Sequence, residues 1–109
     1  MEKYWIEISD VAKHDIRGIG KYIINEFKEP IVAANIVDAI LDAIFTLEDM
    51  PDRIALVKDK HLAEKSIRPL YVKNYTIFFR INETRKVDSK KTVEIVRVLY
   101  SHRDWASLL

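Results

Sequence analysis

The apolar residues change their period part-way along the chain, and that change limits what the chain can build. Up to about residue 50 they recur at three- and four-residue spacing; from Ser66 onward they fall into short stretches rich in Ile, Val, Tyr and Phe. The first pattern makes one face of a helix apolar and the second suits strands, and neither replaces the other. Helices are therefore expected in the first half and strands in the second, with one short strand ahead of them. Segregated helices and strands fold as an α+β domain, with the helices on one face of a sheet.

The boundaries follow from local signals. Residues 3–8, Lys-Tyr-Trp-Ile-Glu-Ile, alternate and predict a first strand ending at Ser9. Ser9 or Asp10 can cap a helix over about 10–27, whose stripe of Ala12, Ile16, Ile19, Ile23 and Phe27 faces the core. Gly18 and Gly20 weaken it by roughly 1 kcal/mol each relative to alanine, which points to close packing against another element. Lys28-Glu29-Pro30 makes a break, and a second helix runs to Leu47 with Asn35, Asp38, Asp42 and Thr46 as its solvent stripe. Its apolar arc around Val32, Ile36, Ile40 and Phe45 is wider than one packing face requires, so apolar surface is left for a partner. Met50-Pro51-Asp52 ends that helix, and residues 53–64 show no period and are expected to form a loop. Strands follow at Ser66–Val72, Tyr75–Ile81 and Thr92–Leu99. Lys73-Asn74 makes a tight turn, and the polar run 82–91 is expected to be an exposed, mobile loop. A short helix is expected to close the chain at 103–108. The order β-α-α-β-β-β gives a mostly antiparallel sheet packed against a helical hairpin.

At 109 residues there is room for one hydrophobic core, hence a single domain over 1–109. With 49% hydrophobic and 32% charged residues the balance is that of a soluble globular protein. There is no cysteine, so neither a disulfide framework nor a thiolate metal site is available. Glu2 and alternating residues follow Met1 rather than a basic segment and an apolar run, so no secretory signal is expected. Asp38 and Asp42 interrupt the longest apolar stretch, and no membrane span is expected; the location implied is cytoplasmic. Charge is uneven: residues 1–52 hold five basic and eleven acidic residues, a net −6, whereas residues 53–109 hold thirteen and six, a net +7. A face dominated by the second half can approach phosphate or an acidic protein, or its charges are simply solvated surface.

Known short motifs are missing. There is no GxGxxG, no phosphate loop ending in Gly-Lys-Ser/Thr and no His-Glu-x-x-His, so nothing points to a nucleotide, another cofactor or a metal. His14, His61 and His102 fall on the first helix, the loop and the tail, without a second histidine or a carboxylate at ligand spacing, and the first two read as solvated surface. His102 differs in its company: a strand runs through Arg97 to Tyr100, His102, Arg103, Asp104 and Trp105. Arg68, Lys73 and Arg80 lie on the neighbouring strands or their turn. These residues either form a basic patch, with Tyr100 able to stack on a base, or serve the sheet itself, with Arg97 paired to Glu94 or Asp104 and Tyr100 half-buried.

The run Arg68-Pro-Leu-Tyr-Val-Lys-Asn-Tyr-Thr-Ile-Phe-Phe-Arg-Ile, a loop, then Val93-Glu-Ile-Val-Arg-Val-Leu-Tyr-Ser-His-Arg-Asp-Trp and Leu108-Leu109 resembles the C-terminal half of the RelE/ParE toxins. The front half is similar more loosely, through its short strand, the Ser9-x-x-Ala12 helix start with Ile16 behind it, and the helical hairpin ending near Pro51. The resemblance implies a small α+β toxin of a bacterial type II toxin–antitoxin module, of the plasmid-stabilisation kind. It also implies a cognate antitoxin that folds onto the toxin surface, as a hetero-oligomer.

Two targets divide the family. RelE-like members are ribosome-dependent mRNA endonucleases that use basic residues and often a C-terminal tyrosine or histidine. ParE-like members act on DNA gyrase without being nucleases. After Tyr75, where RelE-like enzymes tend to carry an arginine, this chain has Thr76, and it ends in Leu108-Leu109 with no tyrosine. Tyr75-Thr-Ile-Phe-Phe-Arg-Ile and Val93-Glu-Ile-Val-Arg-Val-Leu-Tyr look more like the ParE branch. The basic second half and its strand ends give Arg68, Lys73, Arg80, Arg97 and Arg103 as the expected target-binding residues. The alternative is RNA cleavage, with His102 as base, Arg103 as phosphate clamp and Tyr100 as stacking ring. A third reading is a partner-binding relic without toxicity.

Overall fold

The computed structural model describes residues 2–103 together with Leu108 and Leu109. Strand β1 (Trp5–Ile8) leads into helix α1 (Asp10–Phe27), followed by helix α2 (Pro30–Phe45) and two short 3-10 turns, Thr46–Glu48 and Pro51–Arg53. Next come a five-residue helix α3 (Lys60–Glu64) and strands β2 (Arg68–Val72), β3 (Tyr75–Val87) and β4 (Lys90–Tyr100). The sheet order is β1-β4-β3-β2, with β1 parallel to β4 and the other pairs antiparallel. The expected order and mostly antiparallel pairing therefore hold. The helix expected at 103–108 lies mostly outside the described residues.

Ser9 is the cap that the sequence offers. Its Oγ accepts the Ala12 N–H at 3.0 Å and donates to the Val96 carbonyl at 3.1 Å, joining the start of α1 to β4. Such a cap is typically worth about 1 kcal/mol. Between the helical hairpin and the sheet, Ile16, Ile40, Ile44, Phe79, Ile95 and their neighbours form the main core. The opposite face of the sheet carries a second cluster of Val57, Leu62, Ile67, Phe78 and Leu99, onto which Leu108 and Leu109 pack. The expected solvent stripe of α2 is exposed, whereas its apolar arc divides: Ile40 is buried, Ile36 is half-buried, and Val32 and Phe45 stand in the open.

Four expectations are corrected. Phe27 leaves the core stripe and is 60% exposed, edge-on to Tyr22 at 6.0 Å between ring centroids. Of the two glycines, Gly20 faces Val37 at 3.4 Å, but a side chain at Gly18 would meet nothing within 4 Å, so close packing explains only one of them. The loop at 53–64 holds α3, nucleated by the Asp59 carboxylate accepting the Leu62 N–H at 3.0 Å and anchored by buried Leu62. The polar run 82–91 is largely strand, closed by an Asp88-Ser89 turn with φ of 50° and 66°. Polar composition hid it, because side-chain hydrogen bonds rather than burial hold that hairpin. In addition, residues Pro30–Glu48 have a mean hydropathy of 1.7 over 19 residues, long and apolar enough to cross a membrane despite Asp38 and Asp42. Here α2 packs against α1 and the sheet instead.

Candidate functional site

A groove of about 1090 Å³ opens between the helical hairpin and the ends of β3 and β4. Helix α1 supplies one wall through His14, Gly18, Ile19, Tyr22 and Phe27, and Val32 and Ile36 of α2 extend it. Tyr75, Val98 and Tyr100 form the sheet side, and Lys73 and Arg103 stand at that end. Its surface is mainly apolar and aromatic, with cations at one end. Tyr22 and Phe27 stand largely exposed and edge-on to each other near Gly18, whose side faces open space.

Tyr75 and Tyr100 are cross-strand partners with ring centroids 5.9 Å apart, and the His102 ring lies 5.3 Å from Tyr100. Burial raises the Tyr75 phenol above its ordinary pKa, reinforced by Tyr100 and Tyr22, so it stays protonated at neutral pH and can donate a hydrogen bond. The tail turns because the Arg103 N–H reaches the Tyr100 carbonyl at 3.1 Å. Thr76, buried in β3, shares a 2.8 Å hydrogen bond with Ser101 and fixes the root of that turn.

The structure brings Lys73, Tyr100, His102 and Arg103 together at this end and places Arg68, Arg80 and Arg97 elsewhere. Arg68 donates to the Ile54 carbonyl and ties β2 to the segment before α3. Arg80 pairs with Glu94 at 2.9 Å. Arg97 pairs with neither expected acid among the described residues: Glu94 is taken by Arg80, and Arg97 makes a two-point bond to Asp15 of α1. Asp104 lies outside the described residues. Asp15 was missed because no local pattern pairs residues 82 apart in sequence. Phe27 carries the apolar spacing of the core stripe in the sequence, and Tyr22, outside that stripe, gives no separate signal.

Among the described residues no hydrogen bond joins His102 to a carboxylate, and no group of histidines and acids is placed to hold a metal. The groove offers contact area, hydrogen-bond donors and cations.

The family model for the ParE toxin of type II toxin–antitoxin systems, parDE, matches residues 6–105. The chain belongs to the ParE toxin family. Its fold is that of a chain in the chromosomal ParDE toxin–antitoxin system from P. aeruginosa, with a TM-score of 0.69 at 17% identity over 90% of this chain and 96% of that one. A chain of the toxin–antitoxin complex RelBE2 from Mycobacterium tuberculosis superposes with a TM-score of 0.60 at 18% identity, over 90% of this chain and 98% of that one. No curated protein matches the sequence significantly. The α+β order is the one these two structures share with this chain.

Proposed function

We propose that this ParE-family toxin acts on DNA gyrase, without nuclease activity, and is held inactive in the cytoplasm by a cognate antitoxin that covers the groove. The module would serve plasmid stabilisation, with toxin and antitoxin as a hetero-oligomer. The observation that carries the gyrase reading is Thr76. It occupies the place where RelE-like members tend to carry an arginine, it is 1% exposed, and its hydroxyl is engaged by Ser101. Neither its chemistry nor its position offers a cation to a scissile phosphate. The antitoxin reading draws on the apolar groove and on the toxin–antitoxin assemblies whose chains share this fold.

One observation favours mRNA cleavage as a second reading: Tyr100, His102 and Arg103 are adjacent and exposed. An exposed imidazole next in sequence to an exposed guanidinium is a workable base and phosphate clamp. Expressing the chain from a tight promoter, with a supercoiling-reporter plasmid and a pulse of labelled amino acid, separates the two. Relaxation of the plasmid before translation falls is expected; translation failing first overturns the gyrase assignment.

A further inference from the structure

The β3–β4 hairpin continues past its neighbours. Strand β2 pairs with β3 only as far as Phe79, and β1 pairs with β4 only from Thr92 onward, so among the described residues the hairpin arm of residues 83–91 has no third strand beside it. The ladder is irregular between Asn82 and Lys86, where residues 83–85 bulge out of β3 against a single step of β4, so only two pairs, Lys86 with Lys91 and Val87 with Lys90, carry it beyond Thr92, roughly 7 Å at about 3.4 Å per residue before the Asp88-Ser89 turn. It projects from the end of β3–β4 opposite to the groove.

An unsupported hairpin is marginal by itself, and this one holds like charges face to face. Lys86 is directly opposite Lys91, and Lys90 opposes Val87. Like charges at directly paired positions destabilise a sheet. The base of the arm is nevertheless held by several side chains. Both Glu7 carboxylate oxygens accept from Arg85 Nε, at 2.8 and 2.9 Å. The Thr92 hydroxyl donates to the Arg85 carbonyl at 2.9 Å, and the Asn82 side-chain oxygen accepts the Thr84 and Arg85 N–H groups at 3.2 and 3.1 Å. Acids are thus spent at the base, while Lys86 and Lys90 have no ion-pair partner among the described residues and Lys91 has only Glu2 at 3.7 Å.

We propose that this arm is a binding site for the phosphate backbone of double-stranded DNA, with Lys86, Lys90 and Lys91 as its contacts. The chemistry distinguishes this ligand from the others a basic ribbon can take. Protein hot spots are built on Trp, Tyr and Arg anchors in desolvated pockets, and single strands bind by stacking on aromatics. Residues 83–91 contain no aromatic, and their one apolar side chain is Val87. Glu83 and the Asp88 at the turn make the arm moderately rather than strongly basic, so binding is sequence-independent and salt-sensitive. The inference does not rest on the choice of gyrase as target.

The test is fluorescence anisotropy of a labelled mixed-sequence duplex titrated with the full chain between 50 and 200 mM salt. Three phosphate contacts predict an affinity loss of about 40-fold across that range, from a slope of roughly 0.9 per contact. The double variant Lys86→Gln/Lys90→Gln, with its melting temperature unchanged, is expected to bind more weakly at 50 mM and to lose only about three- to fourfold over the same range. An unchanged slope in that variant, absence of duplex binding by the unsubstituted chain at 50 mM salt, or tighter binding to poly-glutamate than to the duplex would each overturn the proposal.

Discussion

Asp15 on α1 and Arg97 on β4 form a two-point ion pair, with Nε and Nη2 each 2.8 Å from a carboxylate oxygen, and the same carboxylate accepts the Val98 N–H at 3.0 Å. β1 stops pairing at Ile95, so this carboxylate takes over a backbone donor on the edge of β4 that no strand reaches. The pair is largely screened from water, with side-chain exposures of 9% for Asp15 and 21% for Arg97. The Asp15 hydrogen bond holds the Arg97 guanidinium still further towards its charged form. Asp15→Ala leaves a half-buried cation and an orphaned N–H, and is expected to cost about 3 kcal/mol, near the lower end for a broken buried pair. Urea denaturation measures this; a loss under 1 kcal/mol would make the pair incidental.

Arg68 and Arg103 share a charge and a half of the chain but not a role. Arg68→Ala removes a charged hydrogen bond to the Ile54 carbonyl and is expected to lower stability by about 1.5 kcal/mol. Arg103→Ala touches only an exposed side chain, is expected to change stability by about 0.5 kcal/mol or less, and should abolish toxicity. Melting curves alongside growth arrest on expression check both, and a large fall in stability for Arg103→Ala would assign it to the fold.

Gly18 faces open groove, so Gly18→Ala is expected to stabilise α1 by up to about 1 kcal/mol through helix propensity alone. Gly18→Phe places a ring where the antitoxin is proposed to sit. It should fold normally yet escape neutralisation, read as growth arrest that persists when the antitoxin is co-expressed. Full rescue of Gly18→Phe by the antitoxin would move the docking surface elsewhere.

Glu94 ties β4 to β3 at the base of the arm. The Asn82 hydrogen bond, with Arg80 and against some burial, holds its carboxyl below the ordinary glutamate range. A carboxylate with a lowered folded-state pKa contributes stability that is present above its unfolded value and is lost as pH falls through the folded value. Thermal stability is therefore expected to fall on acidification below about pH 4.5, and Glu94→Gln should flatten that part of the profile. Identical profiles for the two chains would contradict it.

The fold was legible because local and global signals agree in most of the chain. Ser9 caps where it can, Pro30 opens α2, and the Ile- and Val-rich runs pair as strands. What could not be read off depends on the third dimension. The 82–91 hairpin rests on Glu7 reaching Arg85 across 78 residues, and the role of Arg97 rests on Asp15. Lys73, Tyr100, His102 and Arg103 stand out as candidates in the sequence, but Phe27 reads as core there because helical spacing cannot say where α1 runs past the sheet.

The gyrase assignment at the centre of this account meets its most direct test with purified toxin in two parallel reactions, gyrase supercoiling of a relaxed plasmid and end-labelled mRNA on translating ribosomes. Supercoiling should be inhibited and relieved by the antitoxin, while the mRNA stays intact. Cuts at the ribosomal A-site codon that disappear with His102→Ala or Arg103→Ala, with supercoiling untouched, would contradict it.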